Sequence, residues 1–207
     1  MVKQKRDNQA EKAILDAARK VFTRKGFAAA RMDEIAREAK INKALLHYYF
    51  RSKENLFDLV FEQRLGEFFG ALAGILAKPM PLMEKIAAIV AQDIDMLRSR
   101  PDLPIFVLQE LAHNPERLVE AARSVNMGPF TLMKSFKLQV ADAVEKKEIK
   151  PIDGGQLLIN IMSMAIYPFI AKPLIKAVQG MDESQFDRMI QQRKKEVARF
   201  VRDAIKP

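Results

Sequence analysis

The chain has 207 residues, room for one large domain or two small ones, and its 49% apolar and 29% charged residues mark a globular protein rather than a disordered tail. It has no Cys and two His, His47 and His113, which excludes disulfide frameworks, zinc knuckles and thiol chemistry and argues against a histidine-rich metal site. The net charge is +9, and residues 1–53 hold 14 Lys/Arg against 6 Asp/Glu while residues 54–207 hold 21 against 20, so a small basic module for a polyanion is joined to a nearly neutral body.

The opening residues lack the apolar run of a secretory signal, so a reducing, cytoplasmic setting is expected. The first predicted helix carries Ile14, Ala17, Ala18, Val21 and Phe22 at helical spacing, and Gly26 supplies its stop. Lys3, Lys5 and Arg6 before it read as a disordered arm, either reaching into a minor groove or acting as a simple electrostatic tail. A short helix from about Arg31 to Ala39 turns inward Met32, Ile35, Ala36 and Ala39. After a tight connection at 40–42, a third starts at Asn42, a good N-cap, and runs through Tyr48 or Tyr49. Three compact helices so joined fit a helix-turn-helix in which the second element supports the third.

Longer helices follow. One spans about Ser52 to Ala77, another Leu82 to Ser99, then Pro104 to His113, and Pro115 to Lys147 with a kink or break at Gly128-Pro129. Asp153 to Gln179 is apolar on almost every face, which raises a membrane span. Asn160, Ser163, Pro168, Lys172 and Pro173 interrupt the run, so burial against the chain's own core on one side and a second subunit on the other is the reading adopted. A last helix opens on the capping-box pair Asp182 and Gln185 and shows one apolar stripe through Phe186, Met189, Ile190, Val197, Phe200, Val201 and Ala204. The expectation is an all-α chain with a helix-turn-helix domain at 1–53 and a helical ligand-binding and dimerisation domain at 54–207.

Residues 28–56, AAARMDEIAREAKINKALLHYYFRSKENL, resemble the DNA-binding domain of the TetR family of bacterial transcriptional regulators. The matches are Ile35-Ala36, Ala39, Leu46, Tyr48, Phe50 and Ser52-Lys53-Glu54. The departures are Arg31 for a Thr, Lys40 for the turn Gly, Asn42 for Ser, and Leu45-Leu46-His47 for Thr-Leu-Tyr. Lys40 carries mild strain wherever that turn needs positive φ.

A helix in the major groove presents its N-terminal residues to base edges, which marks Asn42, Lys43, Ala44, Leu45 and His47 as the reading end. Lys43 can donate to guanine O6 and N7, and Ala44 and Leu45 can pack on a thymine methyl. Leu45 stays open between DNA and core, with Leu46 the better core residue; His47 faces a phosphate, a base or solvent. The resemblance assigns phosphate contacts to Tyr48 and Lys53, while Tyr49 either joins them or packs inside. Arg31, at the start of the supporting helix, suits a phosphate as well.

One such module reads too few base pairs alone, so a homodimer on double-stranded DNA is expected, held through the helices at about 153–179 and 182–205. The resemblance implies a small-molecule effector pocket in the body. Its candidate walls are Phe68, Phe106, Gln109, Glu110, Asn126, Phe130, Met133, Asn160, Ser163 and Tyr167, each of which equally suits an ordinary packing role. The function implied is a repressor released from a palindromic operator by an inducer. No cofactor or metal is expected. An enzyme is disfavoured because the chain has no Gly-rich phosphate loop, no G-x-S-x-G elbow and no Cys nucleophile, and because Asp93 and Asp95 point apart on a helix. The alternative is an architectural nucleic-acid-binding protein without ligand control.

Overall fold

The computed structural model describes residues 2–124 and 129–207, with side chains described apart from those of residues 2–8, 129, 130 and 132. Among the described residues the chain is all helix: α1 (Val2–Ala29), α2 (Met32–Glu38), α3 (Lys43–Phe50), α4 (Lys53–Leu76), α5 (Leu82–Ser99), α6 (Leu103–His113), α7 (Pro115–Ser124), α8 (Pro129–Glu145), α9 (Gly154–Ile170), α10 (Lys172–Gln179) and α11 (Glu183–Ile205). Two compact units divide it, residues 1–66 with 105–125 and residues 67–104 with 126–207.

In the first unit α1 packs on α2 and α2 on α3. The expected stop at Gly26 appears as a break inside α1, where the residue takes φ 71° and ψ 172°, a backbone that suits glycine. The expected arm at Lys3, Lys5 and Arg6 instead belongs to the first turns of α1, since no Gly or Pro interrupts the helix there. The core is aromatic. Phe57 meets Phe22 edge-on at 4.9 Å, Phe27 at 5.0 Å and Phe106 at 5.7 Å, and stacks on Phe61 at 5.5 Å. Phe106 arrives from α6, so α6 is built into this unit with the first three helices.

In the second unit α5 packs on α11, α9 and α8, and α9 also meets α8, α10 and α11. Gly154 opens α9 at a close approach, where a Cβ would stand 2.8 Å from Lys137 Cα on α8. Asp153 caps α9 through a 2.9 Å bond from Gln156 N–H, and Asp182 and Gln185 complete the expected capping box of α11 at 2.7 Å each way. Arg98 grips Asp187 with Nε at 2.8 Å and a second nitrogen at 3.0 Å, tying α5 to α11. The long apolar stretch is two helices rather than one, bent by 71° at Ala171. The break belongs to Pro173, which has no N–H to continue the ladder; Pro168 is accommodated inside α9. Among the described residues no single helix is long and apolar enough to cross a membrane. The expected break near 128–129 falls partly outside the described residues; α8 begins at Pro129.

Asp93 is the anomaly of this core. Only 2% exposed, it shares the buried face of α5 with Ile89, Val90, Ile94 and Leu97, and its Oδ2 accepts no hydrogen bond. Asp95, two residues on, is exposed and paired with Lys194, so the two carboxylates part as expected. Burial raises the Asp93 carboxyl to about 7. Below the ordinary carboxylate range both folded and unfolded chains hold this proton, so its ionisation costs nothing there. As pH rises the unfolded chain ionises first, so stability falls from about pH 4 to pH 7. Asp93→Asn is expected to raise the melting temperature at pH 8 and leave it unchanged at pH 4, with a gain of up to roughly 4 kcal/mol at the upper end. Thermal melts at the two pH values check it.

Candidate nucleic-acid interface

The turn before α3 is set by local bonds. Ile41 N–H donates to the Ala36 carbonyl at 3.0 Å and Lys40 N–H to that of Arg37 at 3.1 Å, which closes the end of α2. Lys40 takes φ 56°, so the position where the resembling family places Gly is a left-handed one, occupied by lysine with its steric cost. Asn42 then caps α3, its Oδ1 accepting from Leu45 N–H at 2.7 Å.

Helical spacing divides α3 into two rows. Leu46 and Phe50 are buried, while Lys43, Ala44, His47 and Tyr48 are exposed and Leu45 and Tyr49 are half-buried. Tyr48 is 80% exposed, its ring edge-on to Tyr49 at 5.5 Å. His47 Nδ1 lies 3.2 Å from the Arg51 carbonyl, so the Nδ1–H tautomer is the one that bonds. Lys43 Nζ is 2.8 Å from Asp33 of α2. Arg31 is exposed at the cap position of α2, where its carbonyl accepts from Glu34 and Ile35 N–H.

Without DNA, Lys53 turns to the protein's own backbone. Its ammonium donates to the carbonyls of Phe27 at 2.9 Å, Ala30 at 3.3 Å and Ala28 at 3.4 Å, and lies 4.4 Å from the centre of the Phe27 ring. These carbonyls lie at or just beyond the end of α1 past Gly26, so the lysine closes a helix terminus. The Arg117 guanidinium stands 4.5 Å from the centre of the same Phe27 ring and 5.1 Å from that of Phe57, while pairing with Glu110 at 3.2 Å and Asp58 at 3.4 Å. Burial raises the Glu110 carboxyl, partly offset by the attraction of Arg117. Sequence reading missed Arg117, whose partners lie on α1, α4 and α6 and leave no local signal.

The expected effector walls do not converge on one pocket. Phe106, Gln109 and Glu110 line a cleft of about 170 Å³ with 25–29 of α1, Phe57, His113 and Asn114. Met133 lines a second of about 470 Å³ between 133–141 and 152–154. Asn160 and Ser163 line a third of about 290 Å³ beside Phe200 and Ala204. Asn160, Ser163 and Tyr167 are exposed on the outer side of α9. Phe68 is half-buried and edge-on to Phe69 at 5.1 Å. Asn126 and the side chain of Phe130 lie outside the described residues.

A family model described as bacterial regulatory proteins, tetR family, matches residues 14–60, the segment that holds α2, α3 and their support. Residues 14–60 are a TetR-family DNA-binding segment. The chain is 27% identical over 201 residues to the HTH-type transcriptional regulator RutR of Escherichia coli strain K12, covering 95% of this chain and 91% of that one. Similarity to the HTH-type transcriptional repressor SCO4008 of Streptomyces coelicolor is 28% over 207 residues, covering 95% and 97%. The fold matches a TetR family transcription regulator from Marinobacter aquaeolei VT8 with TM-score 0.69 at 19% identity, over 98% of each chain. With this segment and these relatives the chain is a DNA-binding transcription regulator, and α2 and α3 are the two helices of its helix-turn-helix.

Lys53→Ala removes a cation from three carbonyls and a ring. The DNA-free protein is expected to lose about 2 kcal/mol of stability, read as a lower denaturation midpoint with unchanged slope. An unchanged midpoint would show that the amine does nothing for the fold.

Proposed function

We propose that this TetR-family chain is a homodimeric repressor that holds a palindromic operator with two copies of α3 and releases it when a small molecule binds. The observation that carries the reading is the division of α3: a capped helix whose buried row is Leu46 and Phe50 and whose outer row is Lys43, Ala44, His47 and Tyr48. In the major groove Lys43 meets guanine acceptors, Ala44 and the exposed part of Leu45 meet a thymine methyl, and His47 donates to a base or phosphate. Arg31, Tyr48 and Tyr49 position the head on the phosphates. Its working compartment is the cytoplasm.

The second copy is recruited by the outer faces of the last helices. Ile159 and Tyr167 of α9 and Phe200 of α11 are 53%, 59% and 65% exposed, and Leu174 and Val178 of α10 are exposed with them. A twofold interface over α9 and α11 buries these side chains against their own copies. For the effector, the cleft shared by Phe106, Gln109 and Glu110 is the best-supported wall. Gln109 Oε1 is buried there without a donor, ready to accept from a ligand N–H or O–H. The effector releases DNA only by its differential affinity for the two conformations of the dimer.

Two outcomes test this. Selection from random duplex DNA is expected to enrich two inverted half-sites, and Lys43→Ala to lose preference at one base pair of each half; a bound pool without enrichment would favour the architectural alternative. Phe200→Glu is expected to weaken dimerisation by roughly thirtyfold or more, read by sedimentation across micromolar concentrations. Wild-type behaviour of that variant would move the interface elsewhere.

A further inference from the structure

The carboxylates of α2 are all paired. Glu38 meets Lys20 at 3.1 Å and Glu34 meets Lys25 at 2.5 Å, two bonds that tie α2 to α1. Asp33 meets Lys43 at 2.8 Å, and this pair is of another kind. It joins the first turn of α2 to the first residue of the reading helix, with the two side chains 61% and 59% exposed. Exposed pairs of this type contribute little to stability, and although Asp33 also suits the first turn of α2, that role does not need Lys43 as its partner. A carboxylate beside the residue that meets base edges also repels phosphates. The Lys43 hydrogen bond, before its Coulomb attraction, lowers the Asp33 carboxyl below its usual range, so the charge is present at neutral pH.

The chemistry of the pair supplies a reason. A free lysine ammonium on a flexible stem takes any acceptor within reach, and phosphate oxygens are the most abundant. Bound to Asp33, the ammonium keeps two of its three N–H groups, which is the number that guanine O6 and N7 accept. Restraint by the carboxylate also reduces the side-chain freedom still to be lost on contact. A duplex that offers no guanine there leaves the carboxylate charge without that compensation.

Resting on the placement of α3 in the major groove, we infer that Asp33 determines specificity as a positioning residue: it aims the Lys43 ammonium at a guanine and disfavours duplex that lacks one. Asn at this position keeps an oxygen for the ammonium and removes the charge; Ala removes both.

The test is a parallel selection from random duplex DNA with wild type, Lys43→Ala, Asp33→Asn and Asp33→Ala, followed by titrations on the selected operator and on random duplex. Thermal melts serve as the folding control, and Asn rescue distinguishes positioning from mere bulk. Both Asp33 variants are expected to bind random duplex roughly threefold tighter or more, because a negative charge is gone. Asp33→Ala is expected to lose preference at the same base pair as Lys43→Ala, with its operator-to-random ratio falling about tenfold, while Asp33→Asn keeps that preference. If Lys43→Ala alters one base pair and Asp33→Ala keeps the wild-type preference there, the inference falls and the placement of α3 stands. If Lys43→Ala leaves the motif unchanged, the placement falls and the inference with it.

Discussion

An eight-residue helix cannot hold its shape in water, because the cost of nucleating it exceeds what so few hydrogen bonds return. The reading head therefore depends on the burial of Leu46 and Phe50, which turns a weak helical preference into a fixed orientation. Asn42 adds a cap worth about 1 kcal/mol, and α2 supplies the surface on which α3 rests. That surface must be held in turn. Past the break at Gly26, carbonyls at the end of α1 have no continuing helix to serve, and Lys53 takes three from its neighbourhood while lying against Phe27. Arg117 lies against the same ring and against Phe57, with its charge balanced by Asp58 and Glu110. Two cations and a phenylalanine cluster thus fix the base on which α2 stands.

What could be read in the sequence follows from how local each signal is. Asn42 and Asp182 cap the helices they were expected to cap, since the partner N–H lies three residues away in both cases. The positive φ at Lys40 was legible only through the resemblance, which places Gly there, and Leu46 was separable from Leu45 by helical spacing. Lys53 was not legible in this way: backbone carbonyls carry no residue type, so nothing in the sequence marks Phe27, Ala28 and Ala30 as its partners. The same holds for Arg117, and for α6, whose place beside α1 is decided by Phe106 entering the Phe57 cluster.

The candidate effector walls are spread over separate clefts, and on α9 the sequence carries little directional signal. Periodicity assigns an inner face only when a helix has a polar side to contrast with it. On α9 nearly every position is apolar, so the pattern did not say which way Asn160, Ser163 and Tyr167 face. Their exposure beside Ile159 shows that the scarce polar residues mark the outer face. An apolar residue at 53% exposure among them means that this face is not made for water alone. The proposed twofold interface thus takes residues that sequence reasoning had given to a pocket.

Charge needs a similar distinction between amount and placement. The excess of Lys and Arg in residues 1–53 suggests a uniformly attractive head, yet Lys20, Lys25 and Lys43 are matched by the acids of α2, and Lys53 faces carbonyls. Among the described residues no ion pair ties Arg31, Arg37, Lys40 or Arg51. Lys40 precedes α3, Arg51 closes it and Arg31 opens α2, so these three unmatched cations lie beside the reading helix rather than on it. Phosphates lie to either side of the groove that such a helix enters, so cations at its ends favour the duplex as a whole. Lys43, which the proposed docking turns toward the bases, by contrast has its charge balanced by Asp33. Under that docking, affinity without sequence and affinity for a sequence are carried by different residues, and a head built in this way can lose one while keeping the other.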